Sequence, residues 1–308
     1  MSSDRLLTVF TPTYNRAHTL TRLYKSLCDQ TCKDFEWLVI DDGSMDDTAN
    51  LIEGCIEEGK IPIRYIYKEN GGLYTGYNTA YANISTELNV CIDSDDYMPE
   101  DAIAIIKESW SKYGSSNYAG LTGLDFYAGT SKPIGGFFPD NLKEGYLLDL
   151  YIKGIHRGDS KQVMRTDLMK KIPPMVGFPD EKNFNPIYLI LQACDELPVI
   201  LLNKNLCYVD YQDSDSMSKS IWRQYLDSPN SFVKQRIMEM RLKRSNFLNN
   251  IRLAIHYTSS CIIAHDRDWL KKSPKKFLTL LTSPAGLLLY FYILLKNKAY
   301  RPLKDKRH

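Results

Sequence analysis

Three carboxylates crowd into four positions directly after an apolar run near residue 90. The run Asn89–Ile92 ends at Asp93, and Ser94, Asp95 and Asp96 follow it. Ionised neighbours repel each other, so fold stability alone gives no reason for this crowding at the end of a buried strand. The divalent cations Mg²⁺ and Mn²⁺ take carboxylate ligands and also bridge phosphate oxygens. The cluster therefore predicts a metal site, and a solvated acidic turn is the alternative that these residues alone leave open.

The elements that would position this cluster alternate between strand and helix. The predicted strands cover 6–11, 35–40, 61–67 and 88–92, and the predicted helices cover 18–30, 46–58, 76–84 and 100–113. This order indicates an α/β fold with a mostly parallel sheet and helices on both faces. Ligands of such sheets bind at the carboxyl ends of the strands, where the acidic cluster falls. From about 115 to 215 the pattern is less regular, with one helix predicted at 184–195, and 219–265 is predicted to be mainly helical.

Polar turns also follow the other three predicted strands of this first half. They are Thr11–Arg16 after strand one, Asp41–Ser44 after strand two and Glu69–Gly72 after strand three. Each is weak alone, because Asp-Gly-Ser is a common turn and Asn-Gly-Gly is a common loop with positive φ. Four such turns in this order, each at a strand end, form a specific pattern.

With these motifs the chain resembles the family 2 glycosyltransferases, which have the nucleotide-sugar-binding GT-A fold. The resemblance is strong over residues 6 to about 112 and looser to about 218. It implies a Rossmann-like GT-A domain at 1–218, with a nucleotide-binding half at 1–112 and an acceptor-binding half at 113–218. A helical C-terminal extension would cover 219–308. It also implies a divalent metal, Mn²⁺ or Mg²⁺, and transfer from a nucleotide sugar to a hydroxyl with inversion at the anomeric carbon.

The resemblance assigns roles to the residues of the four turns. In the family, the positions that match Pro12, Tyr14, Asp41 and Asn70 line the nucleotide pocket, and the position of Asp93 contacts the ribose. Asn15, Gly71 and Ser94 are predicted to bind the nucleotide sugar with them. The position of Asp95 holds the metal on the diphosphate, and Asp96 assists the metal or orients Asp95. Tyr14 can pack against the base, with ordinary core packing as its alternative. Asp41 and Asn70 suit a uracil edge, so UDP is the preferred nucleotide, and dTDP fits nearly as well.

Three downstream segments match family members that build bacterial surface glycans. They are Gly158–Asp167, Pro179–Phe184 and Tyr211–Ser218. The second departs from the usual pattern, because Asn183 looks inserted and Ile187 follows Pro186 where Glu is common.

The downstream segments also carry the acidic residues that the resemblance assigns to the acceptor side. The catalytic base is predicted in the pair Asp180–Glu181, with Glu181 preferred, and a solvent-exposed acidic turn is the alternative. Asp159 is predicted to bind acceptor hydroxyls and is the second candidate for the base, whereas His156 is predicted to be structural or exposed.

Composition narrows the class of protein further. The chain has 308 residues and a formal net charge of +2, which argues against a dedicated nucleic-acid binder. Its seven cysteines are odd in number and irregularly spaced, which favours reduced thiols in a cytosolic protein. No signal peptide is predicted at the N-terminus.

The C-terminal tail, 271–308, predicts contact with a membrane surface. It contains ten Lys or Arg and one acid, Asp305, around an apolar stretch that begins at Phe277. Leu287–Leu295 is too short to span a bilayer, and Pro284 and Gly286 interrupt the longer stretch. We therefore expect a helix that lies on the inner, anionic face of the plasma membrane, peripheral to it. A terminal helix packed on the domain or in a homodimer interface is the alternative, and a membrane location would fit a lipid-linked acceptor.

Other functions are less consistent with the sequence. A nucleotidyltransferase would carry a Gly-rich basic loop after strand one, and a dehydrogenase would carry G-x-G-x-x-G there. A non-catalytic nucleotide-sugar-binding or scaffold protein of a glycan-assembly complex is the remaining alternative, which the intact acidic cluster disfavours.

Overall fold

The structure, a computed structural model, describes residues 5–210 and 221–297. Within these residues the chain divides into two compact units, and each is described by itself. The first contains 5–175 and 186–210, and the second contains 176–185 and 221–297.

The first half of the first unit alternates strands and helices as predicted. Its elements are β1 (Leu7–Thr13), α1 (Ala17–Cys28), β2 (Phe35–Asp41), α2 (Thr48–Glu58), β3 (Ile63–Tyr67), α3 (Leu73–Asn83), β4 (Leu88–Cys91) and α4 (Ala102–Tyr113). All residues of β1 and β2 are buried, which is expected of parallel strands covered on both faces. The alternation predicted from the sequence is confirmed, with boundaries that differ by at most three residues.

The second half of this unit completes the sheet. Its elements are β5 (Gly120–Tyr127), β6 (Glu144–Gly145), α5 (Leu147–Ile152), β7 (Ser160–Arg165), α6 (Thr166–Met169), α7 (Ile187–Ala193) and β8 (Val199–Val209). The eight strands run in the order β3-β2-β1-β4-β7-β5-β8-β6. The pairs β1–β2, β1–β4, β2–β3 and β5–β8 are parallel, whereas β7 is antiparallel to both β4 and β5 and β6 is antiparallel to β8. The predicted mostly parallel α/β fold is confirmed.

Strand register brings the polar turns to one edge of this sheet. Thr13 at the end of β1 is level with Asp41 at the end of β2. Because β7 runs antiparallel to β4, its first residue, Ser160, lies at the edge where β4 ends. Leu124 near the end of β5 pairs with Ser160, so β5 ends at the same edge.

The second unit contains the segment 176–185 and five helices. The helices are α8 (Ile221–Asp227), α9 (Pro229–Arg241), α10 (Phe247–Ile263), α11 (Trp269–Lys272) and α12 (Lys276–Lys296). Its core contains Leu253, Ala254, Tyr257 and Cys261 of α10. The mainly helical character predicted for 219–265 is confirmed within the described residues.

The expectation of an interrupted tail is wrong, because α12 is one continuous helix of 21 residues. Pro284 has no N–H for the carbonyl of Leu280, and the Ser283 hydroxyl donates to that carbonyl instead, at 2.8 Å. Gly286 does not break the helix either. A Cβ there would lie 2.6 Å from Cβ of Thr258, so the glycine permits close packing of α12 on α10.

The continuous helix also changes what the tail can do. α12 is long and apolar enough to cross a membrane, with a mean hydropathy of 1.8 over its most apolar window, of which 17% is buried. Much of its apolar surface is therefore exposed, including Phe277, Leu281, Leu288 and Leu295. With 21 residues, α12 is long enough to span a bilayer. Its length alone therefore does not distinguish a membrane-spanning helix from one that lies on the membrane surface.

Candidate active site

The turn after β4 holds the acidic cluster that the sequence singles out. The Asp96 N–H donates to the carbonyl of Asp93 at 3.0 Å and closes the turn. Asp93 is exposed at the surface, but the protein packed around its carboxylate displaces much of the water that would solvate the charge. This desolvation raises the pKa of Asp93, as do the carboxylates of Asp95 and Asp159, while Lys161 lowers it. Asp93 and Asp159, predicted separately, are therefore close enough to interact.

An arginine of α1 fixes the position of this turn. One Arg22 nitrogen donates to the backbone carbonyl of Asp95 at 2.5 Å, and the other donates to Asp210 Oδ2 at 2.6 Å. The guanidinium also lies over the Tyr97 ring, 4.9 Å from its centroid. The Asp95 side chain itself is 38% exposed, and its Oδ2 is 3.9 Å from Arg16 Nη1. Asp95 thus presents a carboxylate to solvent from a backbone that Arg22 holds in place.

Asp96 points away from solvent, into a buried ion cluster. The Lys161 Nζ lies 3.6 Å from Asp96 Oδ2 and 3.6 Å from Asp125 Oδ2. Burial raises the pKa of Asp96 to about 7 and that of Asp125 to about 6, and in both cases Lys161 opposes the shift. Burial by itself would lower the pKa of Lys161, but Asp125, Asp96 and Asp93 raise it well above its usual value. One buried ammonium group thus partly neutralises several carboxylates.

This geometry distinguishes the two predicted metal ligands. Asp95 is accessible to a cation, whereas Asp96 is occupied by Lys161. Among the described residues no group of three His, Cys, Asp or Glu side chains is arranged to hold a metal alone. A Mg²⁺-like ion that takes one or two carboxylates and fills its other positions with phosphate and water fits these residues.

The turns after β1 and β2 are hydrogen-bonded to each other. The Asn15 N–H donates to the Ser44 hydroxyl at 2.9 Å, and the Met45 N–H donates to Asn15 Oδ1 at 2.8 Å. Asn15 has φ 52°, a conformation that asparagine tolerates. Tyr14 beside it is 46% exposed, so its ring is not part of the core, and the alternative of ordinary core packing is not what the structure shows.

Asp41 is fully buried at the end of β2. Its Oδ1 accepts from the Ser44 N–H at 2.7 Å, and its Oδ2 accepts from the Tyr65 hydroxyl at 2.6 Å. The carboxylate therefore holds the Asp-Gly-Ser turn in shape. The hydrogen bond predicted from a nucleotide base to Asp41 stays a prediction. The base would have to donate to a carboxylate lone pair that Ser44 and Tyr65 do not use.

The neighbouring Asp42 organises the third turn and was not assigned a binding role from the sequence. Its carboxylate accepts from the N–H groups of Gly71 and Gly72, at 3.0 and 2.8 Å, and from Lys68. Its carbonyl accepts from the Asn70 side chain at 2.9 Å. These bonds fix Asn70 and Gly71 beside the end of β2, where the sequence predicts the nucleotide.

Two of the predicted contact residues lie below the surface. Pro12 belongs to buried β1, and a Cβ on Gly76 would lie 3.1 Å from Pro12 Cβ, so α3 packs closely over it. Ser94 is buried within the acidic turn. Both residues shape the backbone of the candidate site more than its surface.

Two residues close to Asp159 complete this edge of the first unit. His156 is buried, its ring packs 4.9 Å from that of Phe138, and its Nε2 lies 3.4 Å from the Asp159 carbonyl. His156 is therefore a packed residue and not an exposed one. Tyr151 is partly exposed, and its pKa is raised to about 12, first by burial and also by the nearby Asp159 carboxylate. No motif marks Tyr151, and only the fold of α5 brings it to the site.

The predicted base pair lies in the second unit, where its two members differ sharply. The Glu181 carboxylate accepts from the N–H and side-chain amide of Asn230, at 2.9 and 2.8 Å. It also accepts from the N–H and hydroxyl of Ser231, both at 2.7 Å. Glu181 therefore caps the N-terminus of α9 from a distant part of the chain. Asp180 is exposed and has φ 65°. The segment Tyr211–Ser218, matched from the sequence, lies outside the described residues.

Comparison with known proteins identifies what this chain is similar to. The family described as Glycosyl transferase family 2 matches residues 8–172, more than half of the chain. Glycosyltransferase GlyA of Streptococcus pneumoniae is 32% identical over 115 residues, which cover 37% of this chain and 16% of GlyA. Chondroitin synthase of Pasteurella multocida is 32% identical over 108 residues, which cover 35% of this chain and 11% of the synthase. The chain spans about a sixth of the length of the first such relatives.

Two solved structures show the same fold at low sequence identity. S. aureus TarS 1-349 in complex with UDP-GlcNAc has a TM-score of 0.62 and 16% identity, and covers 96% of this chain and 93% of that chain. Mannosyltransferase PcManGT from Pyrobaculum calidifontis, in complex with GDP-Man and Mn²⁺, has a TM-score of 0.55 and 15% identity, with 95% and 83% covered.

The ion cluster around Lys161 predicts a pH-dependent loss of stability in Lys161→Met. At pH 8 the variant should lose about 3–5 kcal/mol of unfolding free energy, because buried carboxylates lose their cation. The folded-state pKa of Asp125, about 6, exceeds its unfolded value of about 4, so ionisation of this group destabilises the fold as the pH rises through that window. The loss should therefore be smaller at pH 5, where protonated carboxyls need no ammonium.

Urea unfolding at both pH values, with EDTA present, measures this difference. Lys170→Met, at an exposed lysine, is the matched control and should change little at either pH. An equal loss at pH 5 and pH 8 would mean that Lys161 matters for packing and not for charge.

Proposed function

Because the chain belongs to glycosyl transferase family 2, has the GT-A fold and is a glycosyltransferase, we propose that it uses a nucleoside diphosphate sugar as donor. The acceptor is a hydroxyl of a glycan or a lipid-linked glycan. The observation that carries this proposal is the acidic edge of the first unit, where Asp95 is accessible, Asp96 is held by Lys161 and Asp93 lies close to Asp159. A diphosphate with a divalent cation is the ligand chemistry that suits such a cluster.

The donor is proposed to be a UDP-sugar. TarS, which shares the fold, is described in complex with UDP-GlcNAc, although PcManGT is described with GDP-Man. Tyr14 and Asn70 flank the predicted base position as an exposed ring and an anchored amide. A planar ring and an amide suit stacking on a uracil and hydrogen bonding to its edge.

A divalent cation, when bound, would neutralise the charge that grows on the departing nucleoside diphosphate. Asp95 would hold it, with Asp93 as a second carboxylate. Lys161 then holds the Asp96 carboxylate in place, and Arg22 holds the backbone of Asp95. PcManGT is described with Mn²⁺, which supports the choice of metal.

Transfer is proposed to be a single displacement with inversion, assisted by one general base. The base takes the proton of the acceptor hydroxyl as that oxygen bonds to the anomeric carbon and the nucleoside diphosphate leaves. Asp180 is the better candidate within the acidic pair, because four donors already bond the Glu181 carboxylate and occupy its lone pairs. Asp159 is proposed to bind acceptor hydroxyls with the help of Tyr151.

The product is proposed to be a cell-surface polysaccharide, made on the cytoplasmic side of the plasma membrane. Similarity to the chondroitin synthase of Pasteurella multocida over about a third of this chain supports a role in polysaccharide synthesis. α12 is proposed to rest on the membrane surface, since it exposes large apolar side chains. Exposed lysines lie before it, at Lys271 and Lys275, and at its first residue, Lys276, and such cations favour an anionic leaflet.

Asp95→Asn should abolish turnover and remove the metal dependence of UDP binding, because a neutral amide is a poor ligand for a hard cation. Calorimetric titration with UDP, with and without Mn²⁺, measures the second effect independently of turnover. Glu100→Gln, at an exposed acid nearby, is the control and should keep the full metal response. Retention of that response in Asp95→Asn would place the metal elsewhere.

Asp180→Asn should lower kcat by about 10²–10⁴-fold and leave donor affinity unchanged, because a general base acts after the donor has bound. Asparagine also tolerates the positive φ at this position, so the backbone should not change. Glu181→Gln should instead lower the unfolding free energy by about 1–3 kcal/mol, because it weakens the charged cap of α9. The folded fraction should keep most of its kcat.

Steady-state kinetics and urea unfolding of both variants separate the two roles. A large kcat loss in Glu181→Gln with unchanged stability would return the base to Glu181. Near-native rates in both variants would make Asp159 the next candidate.

Replacement of Lys271, Lys275 and Lys276 by Gln should weaken binding to anionic vesicles about 100-fold at low salt, since each surface cation contributes about 1 kcal/mol. Flotation with phosphatidylserine vesicles at low and high salt measures the binding. The matched control replaces three exposed lysines elsewhere, Lys132, Lys170 and Lys204. Equal flotation of the two triple variants would contradict the surface assignment.

A further inference from the structure

A groove separate from the acidic edge lies within the second unit, among α10, α11 and α12. Its volume is about 590 Å³, which is in the range of small-molecule sites. Side chains of α10 and α12 line it, together with the segment from His265 to Trp269. Neither the proposed transfer chemistry nor the proposed surface charge of the tail uses it.

The walls of this groove are effectively apolar. Ile262, Trp269 and Leu287 supply hydrocarbon and aromatic surface. The two wall hydroxyls are already used, since Thr258 donates to the Ala254 carbonyl at 2.9 Å and Ser283 donates to the Leu280 carbonyl. Burial raises the pKa of the Cys261 thiol to about 12, so it is neutral. A ligand in contact with these walls would have to be a hydrocarbon.

The charged residues that line the groove give it a cationic part. Asp266 is neutralised, because Lys272 Nζ lies 2.7 Å from its Oδ2 and the Asp268 N–H donates to its Oδ1. Arg267 is exposed and forms no ion pair or hydrogen bond with another residue in the described parts of the chain. His265 beside it is also exposed. A free guanidinium next to an apolar groove suits a phosphate group with a hydrocarbon chain.

We propose that this groove binds one phosphate-bearing lipid, with a hydrocarbon chain along the apolar walls and the phosphate on Arg267. The lipid comes from the bilayer, because Pro284 and Leu287 line the groove and also belong to the exposed apolar side of α12. The site goes beyond the proposed transfer reaction and does not depend on it. It is also distinct from adsorption to a charged surface, since one groove takes one molecule.

Monomeric dodecyl phosphate, kept below its critical micelle concentration, is a suitable probe because no bilayer is present. Calorimetry of the full chain should show one saturable site. Leu287→Asp should abolish this binding, because it places a carboxylate in the groove. Leu288→Asp is the matched control, since this neighbouring leucine is 71% exposed and does not line the groove. It should bind the probe normally.

Two further measurements test the position of each end of the probe. Arg267→Gln should weaken dodecyl phosphate binding about tenfold, because one charge-assisted pair is lost, whereas Lys275→Gln should not. A brominated alkyl phosphate should quench tryptophan fluorescence, and Trp269→Phe should remove that quenching. Inorganic phosphate alone should not bind detectably, because it lacks the chain.

Four outcomes would overturn the proposal. They are no saturable binding, equal loss in Leu287→Asp and Leu288→Asp, equal affinity for dodecyl phosphate and dodecyl maltoside, or quenching that survives Trp269→Phe. Because every readout is binding without donor or acceptor, the result is independent of whether the chain transfers sugar. Circular dichroism of each variant shows that the helices remain folded.

Discussion

The Lys161 ammonium group, 3.6 Å from both Asp96 and Asp125, is the interaction on which the acidic edge depends. Burying several carboxylates at neighbouring strand ends would cost several kcal/mol without a cation among them. β7 supplies that cation because it runs antiparallel between β4 and β5, so its first residues lie where those strands end. The same strand start brings Asp159 close to Asp93. The mixed order of the sheet is therefore what makes the site electrostatically possible.

Acidic side chains have two different roles in this protein, and both roles occur in each unit. Asp42 and Glu181 are both carboxylates that accept backbone N–H groups and hold a loop or a helix end in place. Asp180 is exposed, and the Asp95 side chain is 38% exposed. A carboxylate that already accepts several N–H bonds gains little from a proton or a cation, whereas an exposed one keeps its lone pairs. The number of hydrogen bonds that a carboxylate already accepts thus separates structural acids from candidate chemical ones, even between neighbours such as Asp180 and Glu181.

The strands, most helices and the edge of the sheet where the candidate site is proposed follow from the sequence because they depend on local patterns. Apolar runs that end in polar turns define β1 to β4, and parallel register brings their ends together. Lys161 and the cap formed by Glu181 could not be predicted in the same way. Lys161 lies 65 residues from Asp96 in the sequence. Glu181 accepts hydrogen bonds from Asn230 and Ser231, which lie 49 and 50 positions further along the chain. No local pattern records such distant partners.

The tail shows how a local rule fails when tertiary packing opposes it. Pro284 and Gly286 are both helix-breaking types, yet α12 continues, since the Ser283 hydroxyl replaces the lost donor and close contact with Thr258 favours glycine. The contact with Thr258 involves only one side of α12. The other side remains apolar and exposed, a state that water disfavours and that a lipid surface would relieve. An enzyme whose acceptor is carried on lipid would gain from such a helix, because it would hold the catalytic unit at the surface where that acceptor is found.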